Sequence, residues 1–388
     1  MVVGGNAEQS PGSLTSLRVF NSQTRTWESL DNTNLDTVYA LATIQNATGG
    51  QDLLVGGNFD AVPGVPGTAR LARWNGSNWS SIGNGVSEPS RYVFAIATLP
   101  NGDIIVGGSF TGIGGTLITE AIARWDGTNW HSVGGGMGVG VNIVYALKVL
   151  PNGDLIAGGN FRTAGNTQVN NIARWDGSTW AALGAGTGSQ VNALATMPNG
   201  DIIAAGTFRT AGTTPANLIA RWNGSAWLPL GTGFVGAFMP FVNDLLVLPD
   251  GRLLAGGFFD NAGGVPTQAA AIWNGANWSS IGAYASPNYV NTFTQMPDGW
   301  TFLGGGFYGA RPVSTASVAR WGCPACDDID FNNNTVFPED ADVIDFFNVL
   351  AGAECPACND IDFNNNGVFP EDADVIDFFN VLAGGTCP

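Results

Sequence analysis

The 388-residue sequence holds one histidine, His131, and one lysine, Lys148. It has no cysteine before residue 323, and only 12% of its residues are charged. With a single imidazole, neither a Ser/His/Asp triad nor a Cys/His pair can be assembled away from His131. His131 follows Trp130 in a strand-like stretch and reads as a surface strand residue. No run of 18 apolar residues occurs, so the sequence contains no membrane-spanning helix. Basic residues number 14 against 31 acids, a net charge of −17. That balance repels nucleic acid and anionic membranes.

The acidity is local. Residues 323–388 carry 14 acids and no base, leaving 17 acids against 14 bases in residues 1–322. All five cysteines, Cys323, Cys326, Cys355, Cys358 and Cys387, also lie in that tail. The two stretches are therefore read as two domains, 1–322 and 323–388. Met1 leads directly into the strand-like Val2-Val3-Gly4-Gly5, as if the chain began inside a repeat. The expectation is that further sequence, with any export signal, lies upstream.

What is present in residues 1–322 is a repeat. One unit runs VYALKVLPNGDLIAGGNF over 144–161, then a variable loop, then NIARWDGSTWAALGAG over 171–186. The Arg-Trp (or Ile-Trp) tryptophans Trp74, Trp125, Trp175, Trp222, Trp273 and Trp321 mark the period. A second tryptophan follows at Trp79, Trp130, Trp180, Trp227 and Trp278. Each unit predicts four short strands, joined by Pro-Asn-Gly or Pro-Asp-Gly and by Asp-Gly or Asn-Gly turns, where glycine takes positive φ without penalty. Four-stranded units of this length without helical periodicity are the blades of a β-propeller. Five units are complete. Residues 2–30 supply the last three strands of another and residues 290–321 the first three of a last one. The reading is an all-β propeller of seven blades, with six as the alternative.

Gly-Gly-Asn-Phe, Ile-Ala-Arg-Trp-Asp-Gly-Ser-Thr-Trp and their spacing resemble kelch-related propeller repeats of surface proteins, the type also found in fungal cortical polarity markers. The resemblance covers about 320 residues of the sequence and implies fold; propellers host many unrelated activities. Copper-radical oxidases with kelch propellers need histidines and a propeller cysteine, and both are missing here.

Twelve of the thirteen tryptophans sit at repeat-locked positions, Trp300 being the exception. Their simplest use is packing between blades; the alternative is a ring of sugar-stacking platforms. Arg73, Arg124, Arg174, Arg221 and Arg320 alternate with tryptophan and read as structural partners of loop carbonyls or acids. Blade 6 has Ala271-Ile272 instead, which argues against a shared catalytic role. The loops after Gly-Gly-x-Phe are small and neutral, suited at most to a neutral glycan. Asp60, Asp244 and Asp260 are the carboxylates a glycosidase reading would draw on, and nothing singles them out. The chain is therefore read as non-enzymatic.

The tail is a duplication, CPACDDIDFNNNTVFPEDADVIDFFNVLAGAE (323–354) followed by CPACNDIDFNNNGVFPEDADVIDFFNVLAGGT (355–386), so the second repeat spans 355–388 to the chain end. Oxygen side chains at alternating loop positions before an amphipathic helix suit a hard cation, Ca²⁺. The expected ligands are Asp330, Asn332, Asn334, the Val336 carbonyl and Asp342 in copy one. In copy two they are Asp362, Asn364, Asn366, the Val368 carbonyl and Asp374. A second register runs from Asp328 to Glu339. The helix is expected over 342–350, with Val343, Phe346, Phe347 and Leu350 on one side. The two copies would pack their Phe pairs together, since neither can form a core alone. Each copy is bracketed by cysteine, which favours disulfides Cys326–Cys355 and Cys358–Cys387. Zinc held by Cys323, Cys326, Cys355 and Cys358 is the other reading.

The duplicated loop-helix resembles a dockerin, in particular the dockerin-like anchoring tails of secreted bacterial proteins that begin with Cys and end in Gly-Gly-x-Cys. That resemblance implies a small helical domain of two EF-type repeats, a cohesin-like protein partner or self-assembly, and an extracellular or cell-surface location. Asparagine at loop position 5, a loop one residue longer than the pattern, and Thr335 where copy two has Gly367 depart from it. Adhesion or scaffolding is the leading function. A subunit of an extracellular filament and a glycan-binding or polysaccharide-active module are the alternatives.

Overall fold

The computed structural model describes residues 2–4, 17–21, 26–30, 35–46, 48–86, 91–138, 140–267, 269–281, 287–296, 301–307, 318–321, 340–350, 375–376 and 378–379. Five successive antiparallel four-stranded sheets form its main body. With the N-terminal sheet as blade 1, they are blades 2 to 6. Blade 2 consists of Thr37–Gln45, Gln51–Asn58, Leu71–Trp74 and Trp79–Ser81. Blades 3 to 6 start at Val93–Thr98, Ile143–Val149, Val191–Thr196 and Phe241–Val247 and repeat the same strand order. A small three-stranded sheet joins Phe234–Val235, Asn261–Ala262 and Val265–Pro266, and two larger ones complete the set. One holds Val2–Gly4, Leu17–Asn21 and Thr26–Ser29, the other Pro287–Gln295, Thr301–Phe307 and Val318–Trp321. The fold is thus mostly β and propeller-type.

The turns follow the sequence chemistry. In blade 3, Leu99 and Asp103 close a three-residue loop, Pro100-Asn101-Gly102, with Gly102 at φ 89°. This is a type I turn ended by a left-handed residue. The outer turn departs slightly from expectation. Its central pair is Gly127-Thr128 rather than Asp-Gly, because the Asp126 N–H bonds the Asn129 carbonyl. The Asp126 carboxylate then accepts the Thr128 and Asn129 N–H groups.

First strands of consecutive blades lie side by side. What brings them together is the glycine pair of the second strand. A Cβ on Gly56, Gly107 or Gly158 would lie 2.5, 2.6 or 2.7 Å from Cγ1 of Val93, Val144 or Val191 in the following blade. A Cβ on the second glycine, Gly57, Gly108 or Gly159, would strike a carbonyl oxygen in, or just before, the first strand of its own blade. The core between blades consists of these valines, Leu54, Leu71, Ile105, Ile122 and Ile203. It also holds the Gly-Gly-x-Phe residues Phe59, Phe110, Phe161 and Phe259 and their counterpart Phe208 of Ala-Gly-Thr-Phe, each at most 3% exposed.

The loops after Gly-Gly-x-Phe are more ordered than expected. Gly112–Ile113 pairs with Leu117–Ile118, Thr163–Ala164 with Thr167–Gln168, and Thr210–Ala211 with Thr214–Pro215. Each is a small hairpin, formed because a tight turn satisfies backbone groups that an open loop would leave to water.

The chain divides into two compact units, Met1–Thr292 with Gly304–Ser317, and Phe293–Leu303 with Val318–Pro388. In the second, α1 spans Asp340–Leu350, two residues earlier than expected. Phe346 is fully buried and stacks on the equally buried Phe378, centroids 4.1 Å apart and planes 4° apart. The expected packing of the Phe pairs is present, with one correction: Phe347 is 43% exposed and lies beside Phe379 instead of sharing the buried side. A 3.6-residue period places 343, 346 and 350 on one stripe and leaves 347 at its margin. Among the described residues, no helix is long and apolar enough to cross a membrane.

Candidate functional site

The most conspicuous repeated side chains are committed to structure. Third- and fourth-strand tryptophans face each other across the ladder, as in Trp125 and Trp130, with centroids 5.2 Å apart. The fourth-strand indole N–H then reaches the preceding blade. Trp130 donates to the Gly83 carbonyl at 2.9 Å, Trp180 to Val133 at 2.9 Å, Trp227 to Leu183 at 2.8 Å and Trp278 to Leu230 at 3.1 Å. The packing reading of the tryptophans holds for these residues.

The arginines also have fixed partners. Arg73 pairs with Asp52 at 2.6 Å, Arg124 with Asp103 at 2.7 Å, Arg221 with Asp201 at 3.3 Å, and Arg174 with Asp154. Each aspartate stands at the start of the second strand, and Asp52, Asp103 and Asp154 are at most 8% exposed. Asp52 shows the balance of forces: burial opposes ionisation, but bonds from Asn46 and Arg73 hold its carboxyl below the usual range. In blade 6 both partners change together. Arg252 replaces the aspartate and Ile272 the arginine, and Arg252 turns to Asp250 at 2.6 Å.

His131 bonds Asp126 at 2.6 Å on the surface, in keeping with the surface-strand reading. Asp60 pairs with Arg70 at 3.2 Å, the Asp260 carboxylate accepts the Ala237 N–H, and that of Asp244 accepts the Leu245 N–H. The three carboxylates are engaged in separate local contacts. Among the described residues, no group of three His, Cys, Asp or Glu is placed to hold a metal.

The expected calcium ligands Asp330, Asn332, Asn334, Val336, Asp362, Asn364, Asn366, Val368 and Asp374 lie outside the described residues, as do all five cysteines. Asp342 falls within α1, its side chain outside the description.

A group of residues that the sequence reading passed over comes together on the first strands. In every complete blade the register slips by one residue after the repeated valine, between Val38 and Ala40, Val93 and Ala95, Val144 and Ala146, Val191 and Ala193, and Val242 and Asp244. The skipped residue has no ladder partner, and such bulges re-aim a side chain. In chain order the skipped residues are Tyr39, Phe94, Tyr145, Asn192 and Asn243, and Asn291 follows Val290 at the same repeat position. Three consecutive strands thus contribute aromatic rings and the next three contribute amides.

The neighbours are in contact. Phe94 lies 5.0 Å from Tyr39 and 5.2 Å from Tyr145, centroid to centroid, and Tyr92 adds a ring 6.1 Å from Tyr39. The Asn243 amide donates to Asn291 Oδ1 at 2.9 Å, and the Asn192 amide to the Val242 carbonyl at 3.0 Å. Tyr39 is 47% exposed, Asn291 is exposed, and the others are half-buried. Burial, and then Tyr92, pushes the Tyr39 hydroxyl above its usual pKa; burial does the same for Tyr145. Both are therefore neutral donors at physiological pH. The repeat shows that the residue after the valine varies while the valine does not, but not that the six varying residues meet.

A concavity of about 290 Å³ opens between blades 4 and 5, lined by Pro151, Asn152, Arg174, Thr196, Ile202 and Trp222. Its Thr196 hydroxyl is buried without a hydrogen-bond partner, but Arg174 is already held by Asp154.

No protein-family model matches the chain, and no curated protein matches it. Among solved structures, it is similar to the WD40 β-propeller domain of Doa1, at 12% identity over 78% of this chain and 83% of that one, TM-score 0.45. It is similar to a putative gluconolactonase at 12% identity over 73% and 87%, TM-score 0.43. Virginiamycin B lyase from Staphylococcus aureus is similar at 11% identity over 73% and 83%, TM-score 0.45.

Proposed function

We propose that this chain is a non-catalytic binding module: a propeller that displays a ligand-binding surface and is attached or assembled through a calcium-loaded C-terminal tail. One observation carries the reading. The repeated residues that would be the raw material of catalysis are consumed in structure: arginine and aspartate pair within each blade, and tryptophan holds blade to blade. What varies from blade to blade at the first-strand bulges is uncharged and half-buried or exposed. The Phe346–Phe378 stack supports a tail in which two copies form one small core.

In this reading the propeller has seven blades, and the tail takes Ca²⁺ through Asp330, Asn332, Asn334, Val336 and Asp342 and their counterparts Asp362, Asn364, Asn366, Val368 and Asp374. Its working place is the cell exterior or surface, and the tail meets a protein partner or another copy. Titration calorimetry of the full chain with Ca²⁺ tests this. Uptake of two ions, reduced to one by Asp330→Ala, is expected. No uptake after treatment with chelator and dialysis would remove the anchoring role.

A further inference from the structure

We infer that the row formed by Tyr39, Phe94, Tyr145, Asn192, Asn243 and Asn291 is a binding site for a neutral oligosaccharide. The inference deepens the binding-module reading and is independent of the calcium tail.

Three observations lead to it. First, the bulge makes these side chains unnecessary to the sheet. The preceding residue is valine in all six strands and fills the contact between blades, as Val93 does against Gly56 and Val144 against Gly107. A position set by packing would likewise be uniform, and this one changes class halfway along the row. Second, the row is accessible: Tyr39 keeps 47% of its surface and Tyr92, Phe94 and Tyr145 are only half-buried. Third, its chemistry has two kinds of member and no charge. Rings offer flat faces to the C–H side of a pyranose, and amides offer both donors and acceptors to its hydroxyls. None of the six positions carries Asp, Glu, Lys or Arg, so a charged ligand finds no counter-ion there. With no carboxylate pair in the row, the site holds a sugar chain without cleaving it.

The order of the row adds a direction. First strands of neighbouring blades pack side by side from blade 2 to blade 6. The aromatic arc passes into the amide arc between Tyr145 and Asn192, on the adjacent first strands of blades 4 and 5. A ligand of several sugar units can stack on one arc and bond the other. A monosaccharide reaches fewer members and binds more weakly.

The test is calorimetry of the full chain against neutral hexasaccharides of β-1,4-glucan, β-1,4-mannan, β-1,4-xylan and α-1,4-glucan. Saturable binding of at least one is expected. Tyr39→Leu, which keeps apolar bulk but removes the flat ring, and Asn243→Ala should each weaken it about tenfold, the equivalent of about 1.4 kcal/mol. Arg162→Ala, in a variable-loop hairpin, should leave it unchanged, and so should chelation of calcium. Thermal melts of the three variants check that each remains folded. The inference is overturned if none of the four hexasaccharides binds, or if binding survives both row substitutions. Loss on Arg162→Ala or on chelation would equally overturn it, by moving the site to the loops or the tail. Calcium uptake is read separately, so neither result decides the other.

Discussion

At the scale of single residues, the Arg–Asp pair is the clearest unit. Asp103 is 8% exposed and its carboxylate bonds Arg124 at 2.7 Å. Removing the arginine leaves a nearly buried carboxylate without its counter-ion, which costs about 1–3 kcal/mol. Blade 6 shows the alternative solution, Arg252 with Ile272. Arg124→Ile alone is therefore expected to lower stability in urea by about that amount, and Asp103→Arg with Arg124→Ile and Asn101→Asp, which supplies the counterpart of Asp250, to recover most of it. If this triple variant is less stable than the single one, blade 6 is not an interchangeable solution.

Acid sensitivity belongs to the same scale. The Asn129 N–H, His131 and the Thr128 N–H hold the Asp126 carboxyl at about 2, well under the ordinary 3.8. Asp176 is lowered in the same way by the Thr179 and Ser178 N–H groups. A depressed carboxylate stabilises the fold above its unfolded pKa and loses that contribution as pH falls through the folded value. Thermal stability should therefore fall between about pH 4 and 2, and Asp126→Asn should flatten part of that decline. An unchanged pH profile in the variant would show that the turn plays no part. Both groups lie at the surface, so the effect is small and salt-dependent.

At the scale of the element, each blade is organised by one irregular place. Arg70, Ala121, Asn171, Leu218 and Ala269, the residues just before the third strands, all adopt left-handed φ of 61–70°. Their N–H groups donate to the carbonyls of Phe59, Phe110, Phe161, Phe208 and Phe259, and their carbonyls accept from the second glycine of the pair. Repeated strain of this kind persists because two hydrogen bonds and a buried phenylalanine hold it. The first-strand bulge sits opposite. Gly107→Ala brings a methyl to 2.6 Å from Val144, a side chain that can shift. Blade 5 already has Ala205 at that place. Gly108→Ala meets the Tyr92 carbonyl of the backbone, which cannot. Gly107→Ala should thus cost about 1–3 kcal/mol and Gly108→Ala distinctly more, as read by chemical denaturation. Equal costs would mean that the bulge is free to rearrange.

At the scale of the whole molecule, two compact units predict two thermal transitions. The proposed calcium tail makes only one of them respond to Ca²⁺, and saturation at a hundredfold excess over Kd raises that one by about 2.7 kcal/mol. A single transition that ignores both Ca²⁺ and chelator in calorimetric scans would contradict the tail assignment.

Much of this was open to reading without coordinates, for a physical reason. Blade periodicity, turn positions, the tryptophan contacts and the arginine–acid pairing are local or repeat-locked, and a repeat states the same local rule many times. The blade sheets appear where the strand signals stood, and Phe346 meets Phe378 as the tail duplication required. Three things depended on the third dimension. The variable loops fold back as hairpins. The left-handed residues before the third strands, as different as Arg70, Ala121, Asn171, Leu218 and Ala269, share no side-chain signature because their conformation is imposed by backbone hydrogen bonds. The bulge row was hidden for a related reason. Tyr39, Phe94, Tyr145, Asn192, Asn243 and Asn291 are about 50 residues apart along the chain, and only side-by-side packing of first strands makes them neighbours. Chain order determined which residues recur; strand register decided which of them face one another and which are turned out of the ladder.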